Sequence, residues 1–147
     1  MNTKVWKVDK YVDNLENNPQ VVDAANFLRD NEVVALPTET VYGLGGNAKS
    51  DAAVEKIFAA KGRPSDNPLI IHIADKNQLK AFVAEVPEKA ERLIEAFWPG
   101  PLTIIFKRIE GVLSETATAG LATVAFRMPD HPVALALLKS CGLPIAA

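Results

Sequence analysis

Hydrophobic residues recur along the chain at two spacings, and these spacings predict the secondary structure. Apolar residues three and four positions apart predict helices at residues 19–30, 51–60, 87–97 and 131–141, with a shorter helical segment at 78–83, because this spacing gives a helix one apolar face. Short apolar runs predict strands at residues 5–8, 33–36, 69–73, 102–106, 122–126 and 143–147. Strands that alternate with helices are typical of an α/β domain with a mixed or largely parallel sheet.

Turn and cap residues set the ends of several elements. Asn18 is predicted to cap the first long helix, and Asp130 is predicted to cap the last. The strand at 33–36 is stopped by a proline, and its continuous apolar character predicts a buried parallel strand. Residues 38–48 contain three glycines and are predicted to form a loop.

Composition narrows the class of protein. The 147 residues are 48% hydrophobic and 23% charged, which fits one globular domain that buries about two-thirds of its unfolded surface. No apolar run approaches the roughly 20 residues of a membrane-spanning helix, and residues 1–14 are too charged for a secretory signal. We therefore expect a cytoplasmic protein with no membrane partner. A net charge of −2 argues against a surface that binds nucleic acid throughout, but it permits a local basic cleft.

Cysteine and histidine content limits the covalent and metal chemistry. Two His and one Cys argue against a zinc site, and Cys141 has no partner for an internal disulfide. The apolar run at 143–147 is followed by no turn or cap. We therefore expect residues 1–147 to be the N-terminal portion of a single longer domain.

A cationic run at residues 61–68, KGRPSDNP, is the most distinctive candidate site. Lys61 and Arg63 lie two residues apart on a backbone that two prolines stiffen. Lysine supplies a compact charge and arginine a planar fork, so the pair suits a polyphosphate. The alternative is a pair of solvated cations at the C-terminal end of a helix.

A second candidate follows the strand at 33–36. Thr38 and Thr40 lie just past the carboxyl end of this strand, beside three glycines, and open α/β sheets bind ligands in such crevices. The glycine spacing fits neither a Walker loop nor a dinucleotide fingerprint. In the alternative interpretation, the hydroxyls only satisfy local backbone groups and the glycines only turn the chain.

Polar residues within two strands form a third candidate. His72 interrupts an aliphatic strand, and Thr123 and Arg127 share one strand face because their separation is even. Arg127 is suited to clamp a carboxylate. The alternatives are a packed core histidine and an arginine that pairs with a surface acid. Taken together, the candidates are predicted to converge near the ends of neighbouring strands: Thr40, Lys61, Arg63, His72 and Arg127.

Four runs together resemble the YrdC-like family of threonylcarbamoyl-AMP synthases. They are LPTETVYGLG (36–45), AKGRP (60–64) with NPL (67–69), WPGPLT (98–103) and VAFRMP (124–129). The resemblance covers the chain from about Gln20 onward. It implies a twisted mixed sheet flanked by helices, with a concave, positively charged cavity.

The resemblance also implies a reaction and its residues. L-Threonine, bicarbonate and ATP, with Mg²⁺, give threonylcarbamoyl-AMP and pyrophosphate for the tRNA threonylcarbamoyladenosine modification machinery downstream. Carried over position by position, the threonine ligands are Thr40, His72 and Arg127, the ATP ligands are Arg63, Asn67 and Thr123, and the catalytic cations are Lys61 and Arg63.

The family pattern is incomplete in this sequence. Lys61 and Arg63 correspond to half of a Lys-x-Arg and Ser-x-Asn tetrad, and the chain stops before the second half. We therefore expect weak or absent synthase activity from residues 1–147 alone. Two alternatives remain: an RNA-binding module of the same fold without catalysis, and carbamoyl transfer in hydrogenase maturation.

Overall fold

The computed structural model describes residues 3–62, 64 and 66–147. Within them, six strands form one mixed sheet. The strands are β1 (Val34–Leu36), β2 (Gly43–Asn47), β3 (Ile70–His72), β4 (Ile104–Lys107), β5 (Thr123–Arg127) and β6 (Ile145–Ala146). The helices are α1 (Pro19–Arg29), α2 (Asp51–Lys61), α3 (Glu88–Phe97), α4 (Glu115–Thr118) and α5 (Pro132–Cys141), with 3₁₀ turns at Leu15–Asn17 and Lys76–Ala81. The predicted fold class, a mixed sheet flanked by helices, is confirmed.

Strand order in the sheet is β1-β2-β6-β3-β5-β4. Only β3 and β5 run parallel among the described strands, and their register pairs Ile70 with Ala125 and His72 with Arg127. The remaining neighbours are antiparallel. The carboxyl ends of β3 and β5 therefore lie side by side at one end of these strands, and their amino ends lie side by side at the other.

Two strand predictions near the N-terminus are wrong. Residues 5–8 form no strand; Trp6 instead packs edge-on against Phe27 and donates a hydrogen bond to Asp23. The strand at 33–36 is not a buried parallel strand, because β1 is an antiparallel edge strand beside β2.

Glycines explain why β2 was predicted as a loop. Gly45 lies within β2, where an added Cβ would stand 2.7 Å from Ile145 Cγ2 and 2.8 Å from Leu36 Cδ2. The glycine therefore permits close packing of side chains from the neighbouring strands, which an alternating hydrophobic pattern does not reveal.

The long helices lie close to their predicted positions. Asn18 caps α1, as predicted, by accepting hydrogen bonds from the backbone of Gln20 and Val21. The predicted cap of α5 is wrong by one residue. The capping residue is His131, whose Nδ1 accepts a hydrogen bond from Val133 N, and Asp130 precedes the cap. None of the helices in the described residues is long and apolar enough to cross a membrane.

The core lies on both faces of the sheet. Ile71 and Phe126 pack with α2 and α3 in one apolar cluster, and Ile145 packs with α1 and α5 in a second cluster. These residues alternate in register with His72 and Arg127, which therefore point to the same face as Ile145.

Part of this second face is accessible to solvent. It consists of Ile105 and Lys107 of β4 together with Thr123, Ala125 and Arg127 of β5, and we call it the open face. Ile105 is 68% exposed, and Thr123 and Lys107 are also exposed. The open face is thus a row of strand side chains that a ligand can reach.

Candidate functional site

Arg127 lies at the carboxyl end of β5, and three parts of the chain surround it. His72 of β3 is its register partner. Its Nε donates to the carbonyl oxygen of Gly100 at 3.3 Å, and Nη2 forms an ion pair with Glu39. The turn that supplies Gly100 is fixed beside β5, because Gly100 N donates to Met128 O at 2.9 Å.

The loop of residues 37–42 carries Glu39 to this position. The Thr38 hydroxyl donates to Val41 O at 2.6 Å and accepts from the backbone N–H groups of Thr40 and Val41. For Thr38, the interpretation as local backbone support is therefore correct. Thr40 is exposed, and its hydroxyl lies 3.1 Å from that of Thr38.

Glu39 is a site residue that the sequence interpretation missed. Its Oε1 pairs with Arg127, and its Oε2 accepts a hydrogen bond from the backbone N–H of Asp130. The side chains of Arg127 and Glu39 are 11% and 21% exposed. The available signal was an acid inside the threonine-rich loop, next to the predicted carboxylate-binding arginine.

His72 is buried, as in the packed-histidine alternative. Its Nδ1 lies 3.1 Å from Ile70 O. Burial lowers the pKa of His72, while backbone hydrogen bonds with Ile145 and Ile70 act in the opposite direction. The ring is therefore neutral at pH 7, and one nitrogen keeps a lone pair.

This burial predicts an acid-sensitive stability. Because the folded-state pKa of His72 is lowered, the unfolded chain binds more protons once the pH falls below about 6.5. We expect the free energy of unfolding to fall below that pH, by up to about 1.4 kcal/mol per pH unit for this group. Urea unfolding at pH 7.5 and 5.5 measures the decline, and His72→Gln is expected to flatten it.

His131 provides the control for this measurement. Burial and the charge of Lys10 lower its pKa, against the opposing charge of Asp130, so some decline with falling pH remains in the His72 variant. A His131→Gln variant should keep the larger part of the wild-type slope. If His72→Gln leaves the slope unchanged, the attribution to His72 is wrong.

The remaining candidates lie at the other end of the same strands. Thr123 begins β5, and Asn67 lies in the turn before β3. Since β3 and β5 are parallel, both positions belong to the amino ends. Thr123 lies about 13 Å along β5 from Arg127 at 3.3 Å per residue. Thr123 and Arg127 therefore share one strand face, as predicted, but they lie at opposite ends of β5.

The cationic run is only partly described. Lys61 is the exposed last residue of α2, where Gly62 ends the helix with φ of 64°. Arg63 lies outside the described residues. Among the side chains that the structure describes, no hydrogen bond or ion pair joins Lys61 or Asn67 to Arg127. The positively charged cavity stays a prediction.

Comparison with known proteins places this geometry in a family. Residues 26–147 match the family model of Sua5, YciO and YrdC, whose description reads "Telomere recombination". The chain belongs to this family. A threonylcarbamoyl-AMP synthase of Bacillus subtilis is 60% identical over 147 residues, which are 100% of this chain and 42% of that protein. One of Pyrococcus abyssi is 56% identical over 124 residues, 84% of this chain and 36% of that protein.

A solved structure supports the same assignment. The crystal structure of P. abyssi Sua5 complexed with L-threonine matches with a TM-score of 0.85 and 48% identity, over 97% of this chain and 39% of that one. The chain thus spans about two-fifths of the length of these Sua5 relatives. The resemblance inferred from the four sequence runs is confirmed at the level of the family.

The donor set of this Sua5-family chain suits anions more than metals. The open face offers the Arg127 guanidinium, the Lys107 ammonium and the Thr123 hydroxyl. Partial burial lowers the pKa of Arg127, but an arginine stays charged at pH 7. In the part of the chain that the structure describes, no group of three or more His, Cys, Asp or Glu residues is arranged to hold a metal ion.

Proposed function

We propose that this chain provides the threonine-binding and part of the ATP-binding surface of a threonylcarbamoyl-AMP synthase. The observation that carries the proposal is the order of residues along the parallel strands β3 and β5. His72 and Arg127 lie side by side at the carboxyl ends of two parallel strands, and Thr123 and Asn67 lie at the amino ends. The proposal therefore assigns the carboxyl ends of β3 and β5 to the amino acid and their amino ends to the nucleotide.

The threonine end has the groups that an amino acid requires. Arg127 is a partly buried cation that suits the α-carboxylate. Neutral His72 and exposed Thr40 supply polar groups for the rest of threonine. The loop that carries Thr40 is held next to Arg127 by the ion pair between Glu39 and Arg127. Support also comes from the L-threonine complex of the P. abyssi relative.

The proposed nucleotide end has hydroxyl, amide and cationic groups. Asn67 and Thr123, together with Arg63, are proposed to bind ATP, and Lys61 with Arg63 to stabilise charge on the phosphates. Mg²⁺ is proposed to enter as part of Mg–ATP, held by the phosphate oxygens, since Mg²⁺ prefers substrate phosphates and water as ligands.

The chemistry requires orientation more than a protein nucleophile. The threonine amine, after losing a proton, adds to carbon dioxide derived from bicarbonate and forms a carbamate. A carbamate oxygen then attacks the α-phosphorus of ATP, and the bond to pyrophosphate breaks. The two reactants repel each other as anions, so cations at fixed positions lower the barrier. Cytoplasmic location and supply of the product to tRNA modification remain part of the proposal.

Ligand-dependent stability tests this proposal. We expect L-threonine and Mg–ATP each to raise the melting temperature of the chain, and both together to raise it further. A ligand at 100 times its Kd stabilises the folded state by about 2.7 kcal/mol. Differential scanning fluorimetry at 50 and 300 mM salt gives the shifts.

Salt separates the synthase from the RNA-binding alternative. Ligand shifts that change little with salt support the proposal, with D-threonine as the matched control ligand. An absence of any shift with L-threonine and Mg–ATP, combined with RNA binding that weakens steeply with salt, would favour the alternative.

A further inference from the structure

Glu39 bridges three elements of the site. Its carboxylate reaches Arg127 at the end of β5 and the backbone N–H of Asp130, just before α5. Its own loop follows β1 and carries Thr40. No role of Glu39 follows from the sequence motifs, yet it is the acid that contacts the proposed carboxylate-binding arginine.

The contacts of Arg127 leave a defined set of donors. A guanidinium has five N–H groups in one plane. Nε donates to Gly100 O at 3.3 Å, and Nη2 is buried in ion-pair contact with Glu39 without forming a hydrogen bond. Both hydrogens of Nη1 remain, since no hydrogen bond or ion pair involves Nη1 among the described residues. Nη1 is therefore the nitrogen through which a carboxylate can reach Arg127.

We propose that Glu39 is a positioning residue for amino-acid recognition. Together with Gly100 O it fixes the plane of the Arg127 guanidinium, so that Nη1 receives the carboxylate of the substrate. The same bridge holds the loop with Thr40 beside Arg127. This inference rests on the proposed function, because it assumes that Arg127 binds an amino-acid carboxylate.

A second contact favours positioning over competition. A competitor for Arg127 has to leave when the substrate arrives. Glu39 is itself held by the N–H of Asp130 on its other oxygen, and its side chain is 21% exposed. A carboxylate held from two sides orients its arginine partner more readily than it yields the position.

Two ligands and one substitution test the inference. Glu39→Gln keeps the shape of the side chain and an oxygen for Asp130 N–H, but it removes the charge that holds Arg127. Isothermal titration of the 147-residue chain with L-threonine is expected to show an affinity about 5- to 30-fold lower in the variant, which corresponds to a loss of about 1–2 kcal/mol when the guanidinium is no longer held in place. The affinity for L-threoninamide, which has no carboxylate, is expected to stay unchanged, because the glutamine oxygen still accepts from Asp130 N–H and keeps the loop with Thr40 in place.

A matched control is available elsewhere in the chain. Glu115 pairs with buried Arg108 at 3.0 Å, outside the proposed threonine end. Glu115→Gln removes a glutamate–arginine pair of the same kind, and it should change neither affinity. This comparison separates a specific effect on Arg127 from a general effect of losing an ion pair.

Other outcomes overturn the inference in distinguishable ways. Tighter threonine binding by Glu39→Gln would show that Glu39 competes for Arg127. Equal losses for threonine and threoninamide would assign Glu39 to the ammonium group, and no change would remove it from the site.

A measurement without ligand keeps the inference separate from the proposed function. Side-chain ¹⁵N NMR reports rotation about the Arg127 Nε–Cζ bond, which we expect to be slow in the wild type and faster in Glu39→Gln. If the wild type binds no threonine, the proposed function fails, and the NMR comparison alone decides whether Glu39 fixes the guanidinium. Equal rotation rates in both proteins would overturn the inference.

Discussion

Replacing Arg127 by leucine is expected to lower the affinity of the chain for L-threonine by about 100-fold or more. The proposed pair is that of Arg127 with the carboxylate of bound threonine. Removal of one partner from a buried charge pair costs about 3–5 kcal/mol, and about 1.4 kcal/mol corresponds to a tenfold change in affinity. The Arg127 side chain is 11% exposed, so water screens its charge poorly. Isothermal titration with L-threonine measures the loss.

Two further variants make this result specific. Arg127→Lys keeps the charge but loses the planar fork, so an intermediate loss is expected. Arg92→Leu is the matched control, because Arg92 is 75% exposed and pairs with Glu88 within α3. Threonine affinity in Arg127→Leu within twofold of the wild type would place the carboxylate elsewhere and contradict the proposed threonine end. Melting temperatures of all three variants show whether the fold is retained.

The helices could be predicted because their signals are local. In α1 and α2, apolar residues at helical spacing coincide with a capping side chain, Asn18 or Ser50, that satisfies the first backbone N–H groups. Nothing outside these segments is needed to define them. For α5, the prediction missed the cap by one residue because histidine is an unusual capping side chain.

The strand errors have a different cause. Strand identity at β2 depends on the side chains of Leu36 and Ile145, which approach Gly45 from the neighbouring strands. A single sequence shows the glycine but not its neighbours, and glycines are ordinarily turn residues. Residues 5–8 have the alternating pattern of a strand, but they pair with no strand. The segment is held against α1 by the contacts of Trp6 with Asp23 and Phe27.

The candidate site shows the same limit. The even spacing of Thr123 and Arg127 correctly predicted a shared face. No spacing in the sequence shows that β3 and β5 run parallel. Only the register of the two strands places His72 beside Arg127 at their carboxyl ends and Thr123 at the amino end of β5. The contact of Glu39 with Arg127 is likewise a product of tertiary structure, since the two residues belong to a loop and a strand far apart in sequence.

The site depends on a core residue directly beside Arg127. Phe126 is fully buried on the opposite face of β5. Its ring stacks with Phe82 at a centroid distance of 6.0 Å and meets Phe106 edge-on at 6.1 Å. Because the strand backbone links Phe126 to Arg127, the packing of this ring fixes the height of the guanidinium above the open face.

Phe126→Ala is therefore expected to be the most destabilising single change discussed for this chain. Truncation of a fully buried phenylalanine costs about 3–5 kcal/mol through lost transfer energy and the cavity left behind, a large part of a typical total of 5–15 kcal/mol. At about 2–4 °C per kcal/mol, the melting temperature should fall by roughly 6–20 °C. Urea unfolding monitored by circular dichroism measures the free energy.

Ile105→Ala is the control, because Ile105 lies on β4 next to β5 but on the open face and is 68% exposed. Its loss should cost no more than about 0.5 kcal/mol, as for other surface positions. Comparable destabilisation by the two variants would mean that the open face is packed against something in solution, and a ligand would then have no access to Arg127 along it. A large difference between them supports a sheet that is buried on one side of β5 and free to bind on the other.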